Sequence, residues 1–252
     1  MNLSSMKIIK VNFLTIYFLL ILLLCGYLKA GLVIFFIVTI HELGHVLFIK
    51  LFHYPILDIT LYPFGGVTRV SKDINTPVLR EVLIASGGII LQIILFMVVF
   101  LLPLSIGTKA LIYKYNLSIM VFNMLPIIPL DGSTILNAIL NRFFSFKISY
   151  FLYLGISWGG IGIYLLGNWW FSLNNYLIVS LFIVKTYYAY KNYNYIFNKF
   201  LLERYLNKYE FHFISTREGN LDILKLDTYQ YFKEKEKIVG EEKKLKERFD
   251  KF

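Results

Sequence analysis

Cysteine and acidic residues are scarce in this chain. The one cysteine, Cys25, excludes a disulfide framework within the chain. Charged residues make up 17% of the 252 residues, against about 25% in a typical soluble domain, whereas 57% are hydrophobic. Residues 1–199 contain 14 Lys/Arg and 5 Asp/Glu. A stretch of this length with so few acids and so many apolar residues indicates a membrane protein.

The excess of positive charge lies in the apolar part of the chain. The formal net charge is +10, and residues 200–252 are nearly balanced, with 12 Lys/Arg and 11 Asp/Glu. Basic residues beside apolar segments are typical of membrane topology, whereas a nucleic-acid footprint clusters them on one face. We therefore expect no nucleic-acid partner.

Six apolar segments are long enough to cross a bilayer, which takes about 20 residues. The sequence predicts an all-α polytopic membrane protein with six transmembrane helices, a small membrane-associated β-hairpin and a short cytoplasmic C-terminal tail. The membrane domain covers residues 1–195 and the charged tail residues 196–252. The predicted spans are residues 11–28, 31–52, 82–104, 111–137, 149–167 and 169–190.

The first span has an alternative interpretation as a cleaved signal peptide. Lys7 and Lys10 precede its apolar run, but the residues 27–30 (YLKA) lack a small-x-small cleavage site. Lys and Arg are concentrated at the N-terminus and in the loops 53–81 and 138–148. The positive-inside rule then places both termini in the cytoplasm.

Two histidines and a glutamate lie within the second apolar segment, in the stretch TIHELGHVLF. His41 and His45 are four residues apart, so they share one face of a helix and both imidazoles can bind one zinc ion. Glu42 flanks them and can accept a proton from water. The alternative is a histidine pair that forms hydrogen bonds between helices.

The fourth segment contains NMLPIIPLDG, which offers a candidate third zinc ligand. Pro126 and Pro129 each remove a backbone donor, so we expect the helix to break here and line a cavity. Asp131 would then point into that cavity at about the depth of His45, and Asn123 could bind a substrate backbone. The alternative for Asp131 is a helix cap near the interface.

Residues 59–70 predict a hairpin, because two β-prone runs flank Gly65-Gly66. Pro63 favours an edge position. An edge strand beside a proteolytic site suggests that an extended substrate adds to the sheet. The alternative is an interfacial loop without a substrate role.

The combination of H-E-L-G-H in one span and N-x-x-P-x-x-P-L-D-G in another resembles the site-2 intramembrane metalloproteases. In that family two histidines and an aspartate bind one zinc ion and a glutamate activates water. The resemblance therefore implies that His41, His45 and Asp131 bind zinc, and that Glu42 is the catalytic base.

The six-span layout is most like the stage IV sporulation protein FB subfamily. This resemblance implies that the substrate is the membrane-associated pro-form of sigma-K in the mother-cell membrane around the forespore. It also implies membrane inhibitor proteins as partners, and it leaves a homo-oligomer open. By the same resemblance, the residues near the substrate are Asn123, Pro129, Phe64, Gly65 and Gly66.

Two features depart from that subfamily. Many relatives have Ala-Gly-Pro where residues 85–88 are ASGG. Members usually end in a nucleotide-sensing cystathionine-β-synthase-type (CBS) domain, for which the residues after the last span are too few. We interpret the tail as a reduced CBS-like region, with a strand over 221–232 and a helical charged run over 233–251.

The leading hypothesis is zinc-dependent peptide hydrolysis near the cytoplasmic face of the membrane. Within it, a general site-2 protease that cuts an anti-sigma factor or a signal-peptide remnant is the alternative to sigma-K processing. The rivals from other classes are a metal or proton transporter and an inactive membrane scaffold.

Overall fold

The computed structural model describes residues 9–62, 65–167, 173–211, 213–234 and 237–250. These residues form nine α-helices, one 3-10 turn and two three-stranded sheets. The chain is therefore mostly helical, as predicted, but it contains a second sheet that the sequence analysis did not predict.

The first half of the chain contains four helices and one sheet. Their bounds are β1 (Ile9–Val11), α1 (Phe13–Leu24), α2 (Leu28–Leu51), β2 (Ile56–Tyr62), β3 (Gly65–Val70), α3 (Val78–Leu101) and α4 (Ile106–Asn123).

The second half contains five helices, the 3-10 turn and the second sheet. Their bounds are α5 (Asp131–Phe143), α6 (Phe146–Leu166), α7 (Leu173–Lys191), α8 (Tyr193–Leu206), β4 (Phe213–Arg217), the turn Leu221–Ile223, β5 (Thr228–Glu234), β6 (Lys237–Gly240) and α9 (Glu241–Phe249).

Three of the described helices are long and apolar enough to cross a membrane. α2 and α3 have 24 residues each and α6 has 21. At 1.5 Å per residue, 24 residues extend about 36 Å, which exceeds the roughly 30 Å of a hydrocarbon core. These helices correspond to the second, third and fifth predicted spans, and the other three spans stay predictions.

The predicted break in the fourth segment is present. α4 ends at Asn123 and α5 begins at Asp131, so the helix stops before Pro126 and resumes after Pro129.

The predicted bounds of the following loop are wrong. α5 continues to Phe143, and α6 begins at Phe146, because helical hydrogen bonding extends into the polar residues that hydropathy assigned to a loop at 138–148.

The chain divides into two compact units. Unit 1 comprises residues 1–72 and 83–124, and unit 2 comprises residues 73–82 and 125–252. In unit 1, β2 is the central strand, with β1 parallel on one side and β3 antiparallel on the other. The helices of this unit enclose an apolar core of Ile37, Leu95, Val99 and Ile112.

The predicted hairpin of residues 59–70 is present in unit 1, but its turn is not at the two glycines. Tyr62 pairs with Gly65 and Leu61 with Gly66, so both glycines lie in β3. The residues between the strands, 63 and 64, lie outside the described part of the chain. The strand order leaves β3 at an edge of the sheet.

Unit 2 has its own core, and the tail is folded into it. Phe200, Leu201, Leu224 and Phe232 are fully buried and Leu245 is 1% exposed. The tail prediction is partly wrong. A 3-10 turn occupies the start of the predicted strand, and the observed strand, β5, begins at Thr228. The charged run forms β6 before it becomes helical in α9. β4 and β6 complete the sheet by pairing with β5.

Candidate metal centre

Helix α2 presents His41, Glu42 and His45 from a single turn. His41 is buried, and Glu42 and His45 are half-buried. The two imidazole rings lie edge to face, with centroids 4.8 Å apart, and their Nε2 atoms are 3.1 Å apart. The spacing of four residues therefore brings both rings to one point on the helix surface, as predicted.

The hydrogen-bond partner of Nδ1 fixes the tautomer of each ring. His45 Nδ1 lies 2.8 Å from the backbone carbonyl of Ile84, and His41 Nδ1 lies 3.0 Å from Gln92 Oε1. A carbonyl oxygen accepts a hydrogen bond and cannot donate one, so each neutral ring carries its proton on Nδ1. Both Nε2 atoms then hold lone pairs.

Two converging lone pairs at this distance fit a divalent metal ion. Zinc–nitrogen bonds of about 2.0–2.1 Å at a tetrahedral angle separate two ligand nitrogens by about 3.3 Å. The 3.1 Å between the Nε2 atoms is close to that separation. A metal-bound histidine usually donates a hydrogen bond from its other ring nitrogen, here Nδ1, to an acceptor that fixes the orientation of the ring. The histidine pair therefore matches the chemistry of a zinc site.

A second layer of buried polar groups lies behind His41. Gln92 on α3 and Asn116 on α4 are both fully buried. Gln92 Nε2 donates to the backbone oxygen of Asn116 at 3.3 Å and to Asn116 Oδ1 at 3.1 Å, while Asn116 Nδ2 donates to the backbone oxygen of Gln92 at 2.9 Å. Three helices of unit 1 thus contribute to one hydrogen-bonded chain that ends at His41.

Helices α2 and α3 approach closely at glycines. A Cβ atom on Gly44 would lie 2.1 Å from the backbone oxygen of Gly87, and one on Gly88 would lie 2.4 Å from the His41 ring. Any larger residue at these positions would push the helices apart or displace the imidazole. The ASGG stretch at 85–88 therefore provides a helix contact directly behind the histidine pair.

The carboxylate of Glu42 is held by the hairpin. The backbone N–H of Gly66 donates to Glu42 Oε1 at 3.0 Å. Gly66 pairs with Leu61 on β2, and its N–H points away from that strand toward Glu42. Because backbone groups alternate along a strand, the N–H and C=O of Thr68 face the same outer side. Glu42 therefore bonds to the outer edge of β3.

Asp131 belongs to unit 2 and is the first residue of α5. The segment before it is anchored by Ile127, Ile128 and Leu130, which are 2%, 6% and 8% exposed. The peptide bond between Ile128 and Pro129 is cis. Asp131 itself is half-buried, and a carboxylate in the first turn of a helix is favoured by the helix dipole. The break in the helix is therefore what brings an acidic residue to a helix start here.

The remaining predicted substrate residues differ in their surroundings. Asn123 is half-buried, and its Nδ2 donates to the backbone oxygen of Ile119 in its own helix at 3.0 Å. Pro129 is exposed, in unit 2. Gly65 and Gly66 lie in β3, and Phe64 lies outside the described residues. A role of these residues in substrate binding stays a prediction.

Sequence reasoning missed Gln92 and Asn116. Both are amide residues inside predicted spans, 82–104 and 111–137, where polar side chains are costly unless they have partners. A search for buried amides as well as acids would have marked them as candidates. Their partners, however, depend on how three helices are rotated, which the sequence does not specify.

Comparisons with known proteins agree with this chemistry. Residues 29–110 match the model of peptidase family M50. The chain is 33% identical over 195 residues to stage IV sporulation protein FB of Bacillus subtilis, covering 74% of this chain and 67% of that protein.

Two further relatives are similar over shorter stretches. A putative zinc metalloprotease of Synechocystis is 33% identical over 119 residues, 44% of this chain and 31% of that protein. A zinc metalloprotease of Methanocaldococcus jannaschii is 34% identical over 118 residues, 44% of this chain and 34% of that protein. The chain thus spans about a third of the length of these two relatives.

A solved structure of a site-2 protease from Methanocaldococcus jannaschii is similar with a TM-score of 0.49 and 23% identity, covering 82% of this chain and 96% of that one. The family match includes both histidines and Glu42, and the B. subtilis relative is matched over two thirds of its length. The chain therefore belongs to peptidase family M50, the site-2 protease family of membrane metalloproteases.

Proposed function

We propose that this protein is an intramembrane zinc metalloprotease that hydrolyses a peptide bond in a membrane-associated substrate near the cytoplasmic face. The observation that carries the proposal is the histidine pair on α2, whose Nε2 atoms lie 3.1 Å apart, on the same helix turn as Glu42. An apolar helix long enough to cross a bilayer holds all three groups. Zinc metalloproteases among the relatives support the choice of metal.

The third protein ligand in this proposal is Asp131, with one zinc ion per chain. Catalytic zinc sites generally use three protein ligands and keep one position open. His41 and His45 supply two nitrogens, and a carboxylate oxygen is a common third donor. The position of Asp131 at the start of α5, after a backbone break, supports this role.

Glu42 is the general base and general acid of the proposed reaction. Zinc bound at this site would polarise the substrate carbonyl and lower the pKa of water to about 7. The carboxylate of Glu42 removes a proton from the attacking water and later delivers it to the leaving amine nitrogen. Gly66 N–H donates to Oε1, and we assign the proton to the other oxygen, Oε2.

The substrate binds in an extended form in this proposal. A helix engages its own carbonyl oxygens in hydrogen bonds, so a scissile bond must leave helical conformation before attack. β3 lies at a sheet edge, and by strand alternation the backbone groups of Thr68 face the same outer side as the Gly66 N–H that binds Glu42. Strand addition at that edge would bring an extended segment next to the general base.

The proposed substrate is the pro-form of sigma-K, in the mother-cell membrane around the forespore, with membrane inhibitor proteins as further partners. Similarity to stage IV sporulation protein FB over two thirds of its length supports this choice. An anti-sigma factor or a signal-peptide remnant is the alternative substrate class within the same protease function.

The test is cleavage by the purified full chain in liposomes, with pro-sigma-K and a membrane anti-sigma factor as parallel substrates. We expect the wild type to cut pro-sigma-K, and a zinc chelator to abolish the product. Glu42→Gln should bind zinc as the wild type does and lose at least 100-fold in rate, because a general base contributes about 10²–10⁴.

Each other outcome contradicts a defined part of the proposal. Substantial cleavage by zinc-loaded Glu42→Gln would contradict the role of Glu42. Cleavage of the anti-sigma factor alone would contradict the sigma-K substrate but keep the protease. Zinc flux into the liposomes without cleavage of either substrate would replace the protease with a transporter.

A further inference from the structure

The amide of Gln92 has a fixed orientation that His41 depends on. An amide side chain can present either its oxygen or its NH₂ group to a neighbour. The NH₂ group of Gln92 faces two oxygens of Asn116, at 3.1 and 3.3 Å. Rotating the amide by half a turn would bring Gln92 Oε1 against both of these oxygens at a fully buried position, so the oxygen stays on the His41 side.

The two histidines differ in this respect. His45 Nδ1 faces the backbone carbonyl of Ile84, whose direction is set by helix α3. His41 Nδ1 faces a side chain, whose orientation has to be held by another residue. A rotated Gln92 would donate to Nδ1, move the His41 proton to Nε2 and remove the lone pair that a metal needs.

We propose that Asn116 on α4 is a positioning residue of the metal site, which acts through Gln92 to keep the Nε2 lone pair of His41 available to zinc. This inference rests on the proposed function in that it takes His41 and His45 as zinc ligands. Asn116 does not contact the proposed metal position itself. It forms a hydrogen bond with Gln92, and Gln92 forms one with His41. Its effect is on metal affinity and tautomer, and only through them on catalysis.

The first experiment measures zinc affinity by competition with a chromophoric chelator in detergent. Asn116→Leu and Gln92→Leu should each weaken zinc binding by about 10–100-fold, the usual effect of losing a group that orients a metal-bound histidine. Asn116→Asp keeps the oxygens that accept from Gln92 and should stay within a few-fold of wild type. The matched control is Thr186→Val, at a fully buried polar position on α7, which should leave zinc affinity unchanged.

The double variant tests whether Asn116 acts through Gln92. Adding Asn116→Leu to Gln92→Leu should change zinc affinity little further, because the intermediate residue is already absent. Two independent effects that multiply would overturn the proposal. So would zinc affinity equal to wild type in both single variants, or an Asn116→Asp variant as impaired as Asn116→Leu. If the leucine variants do not fold, Asn116→Ala and Gln92→Ala replace them in the same comparison.

The second experiment uses the metal-free protein, so that it remains informative if the protease hypothesis fails. ¹⁵N-histidine spectra of the wild type should report His41 with its proton on Nδ1, and Asn116→Leu or Asn116→Ala should shift it toward Nε2. An unchanged tautomer in these variants overturns the proposal. Failure of the wild type to bind zinc, with the tautomer change intact, would contradict the proposed function and the metal-site role, and would keep only the control of the His41 tautomer by Asn116.

Discussion

At the scale of single residues, Gly66 determines where the Glu42 carboxylate lies. Its N–H binds Oε1, and a Cβ atom at this position would lie 2.4 Å from the carboxyl carbon of Glu42. We expect Gly66→Ala to displace the carboxylate and lower kcat by about 10–100-fold, part of the 10²–10⁴ that a general base contributes. Zinc affinity should stay within about threefold of wild type, because both histidines are untouched.

The control for this variant is Gly107→Ala on α4, where an added Cβ meets nothing within 4 Å. It should keep full activity. Rates measured on zinc-saturated protein separate a displaced base from a lost metal. A zinc-saturated Gly66→Ala enzyme as fast as wild type would mean that the Gly66–Glu42 contact does not position the base.

The sequence predicts the residues whose partners are close along the chain and misses those whose partners are distant. His41, Glu42 and His45 are identified by helical spacing, and the structure brings them to one turn of α2. The contact between Glu42 and Gly66, 24 residues apart, depends on how the hairpin packs on the helix. Hydrophobic pattern does not encode that packing, so Gly66 was predicted near the substrate without its bond to Glu42.

At the scale of secondary structure elements, the sequence correctly predicts those features that depend only on the local backbone. Pro126 and Pro129 remove helix donors, and α4 ends before them. The hairpin turn was predicted at Gly65-Gly66 because glycines favour tight turns, yet both residues pair within the sheet. β4 was not predicted because it is parallel to β5 and its pairing depends on a connection that sequence patterns do not specify.

The tail is held together by a buried ion pair between α8 and α9. Arg204 Nη1 lies 3.1 Å from Glu241 Oε2, and the two side chains are 1% and 3% exposed. Burial raises the pKa of the Glu241 carboxyl and lowers the pKa of the Arg204 guanidinium. The backbone N–H of Gln230 also donates to Glu241 Oε2, at 2.9 Å. Hydrogen bonds thus offset the cost of removing both charges from water.

Replacing one partner of this pair should unfold the tail. Glu241→Ala leaves Arg204 buried without its carboxylate, which generally costs about 3–5 kcal/mol. We expect limited proteolysis to cut residues 207–250 at protease concentrations at which the wild type is resistant. Glu242→Ala, at the exposed neighbouring position, is the matched control and should resist like the wild type. Equal resistance of Glu241→Ala would show that apolar packing alone holds the tail.

At the scale of the whole molecule, the low acid content explains why function could be predicted from so few residues. Residues 1–199 contain five acids, so each acid in a predicted span requires an explanation, and Glu42 and Asp131 were found in this way. The same composition indicated a membrane protein, and three described helices have the required length and apolarity. The number of spans and the side on which each terminus lies stay predictions, because they depend on a bilayer as well as on the chain.

Zinc binding should stabilise the folded chain, and the size of the effect tests the third ligand. In the proposed site the histidines come from α2, and Asp131 comes from α5, 86 residues after His45, so the proposed ligand set exists only in the folded protein. At free zinc 100-fold above the dissociation constant, the wild type should gain about 2.7 kcal/mol of unfolding free energy. Thermal unfolding in detergent, with and without a chelator, measures this gain.

Asp131→Ala keeps two nitrogen ligands, so it should gain clearly less at the same zinc concentration, and His41→Ala/His45→Ala should gain nothing. If Asp131→Ala responds to zinc as strongly as the wild type, the aspartate is not a ligand and another donor must complete the site.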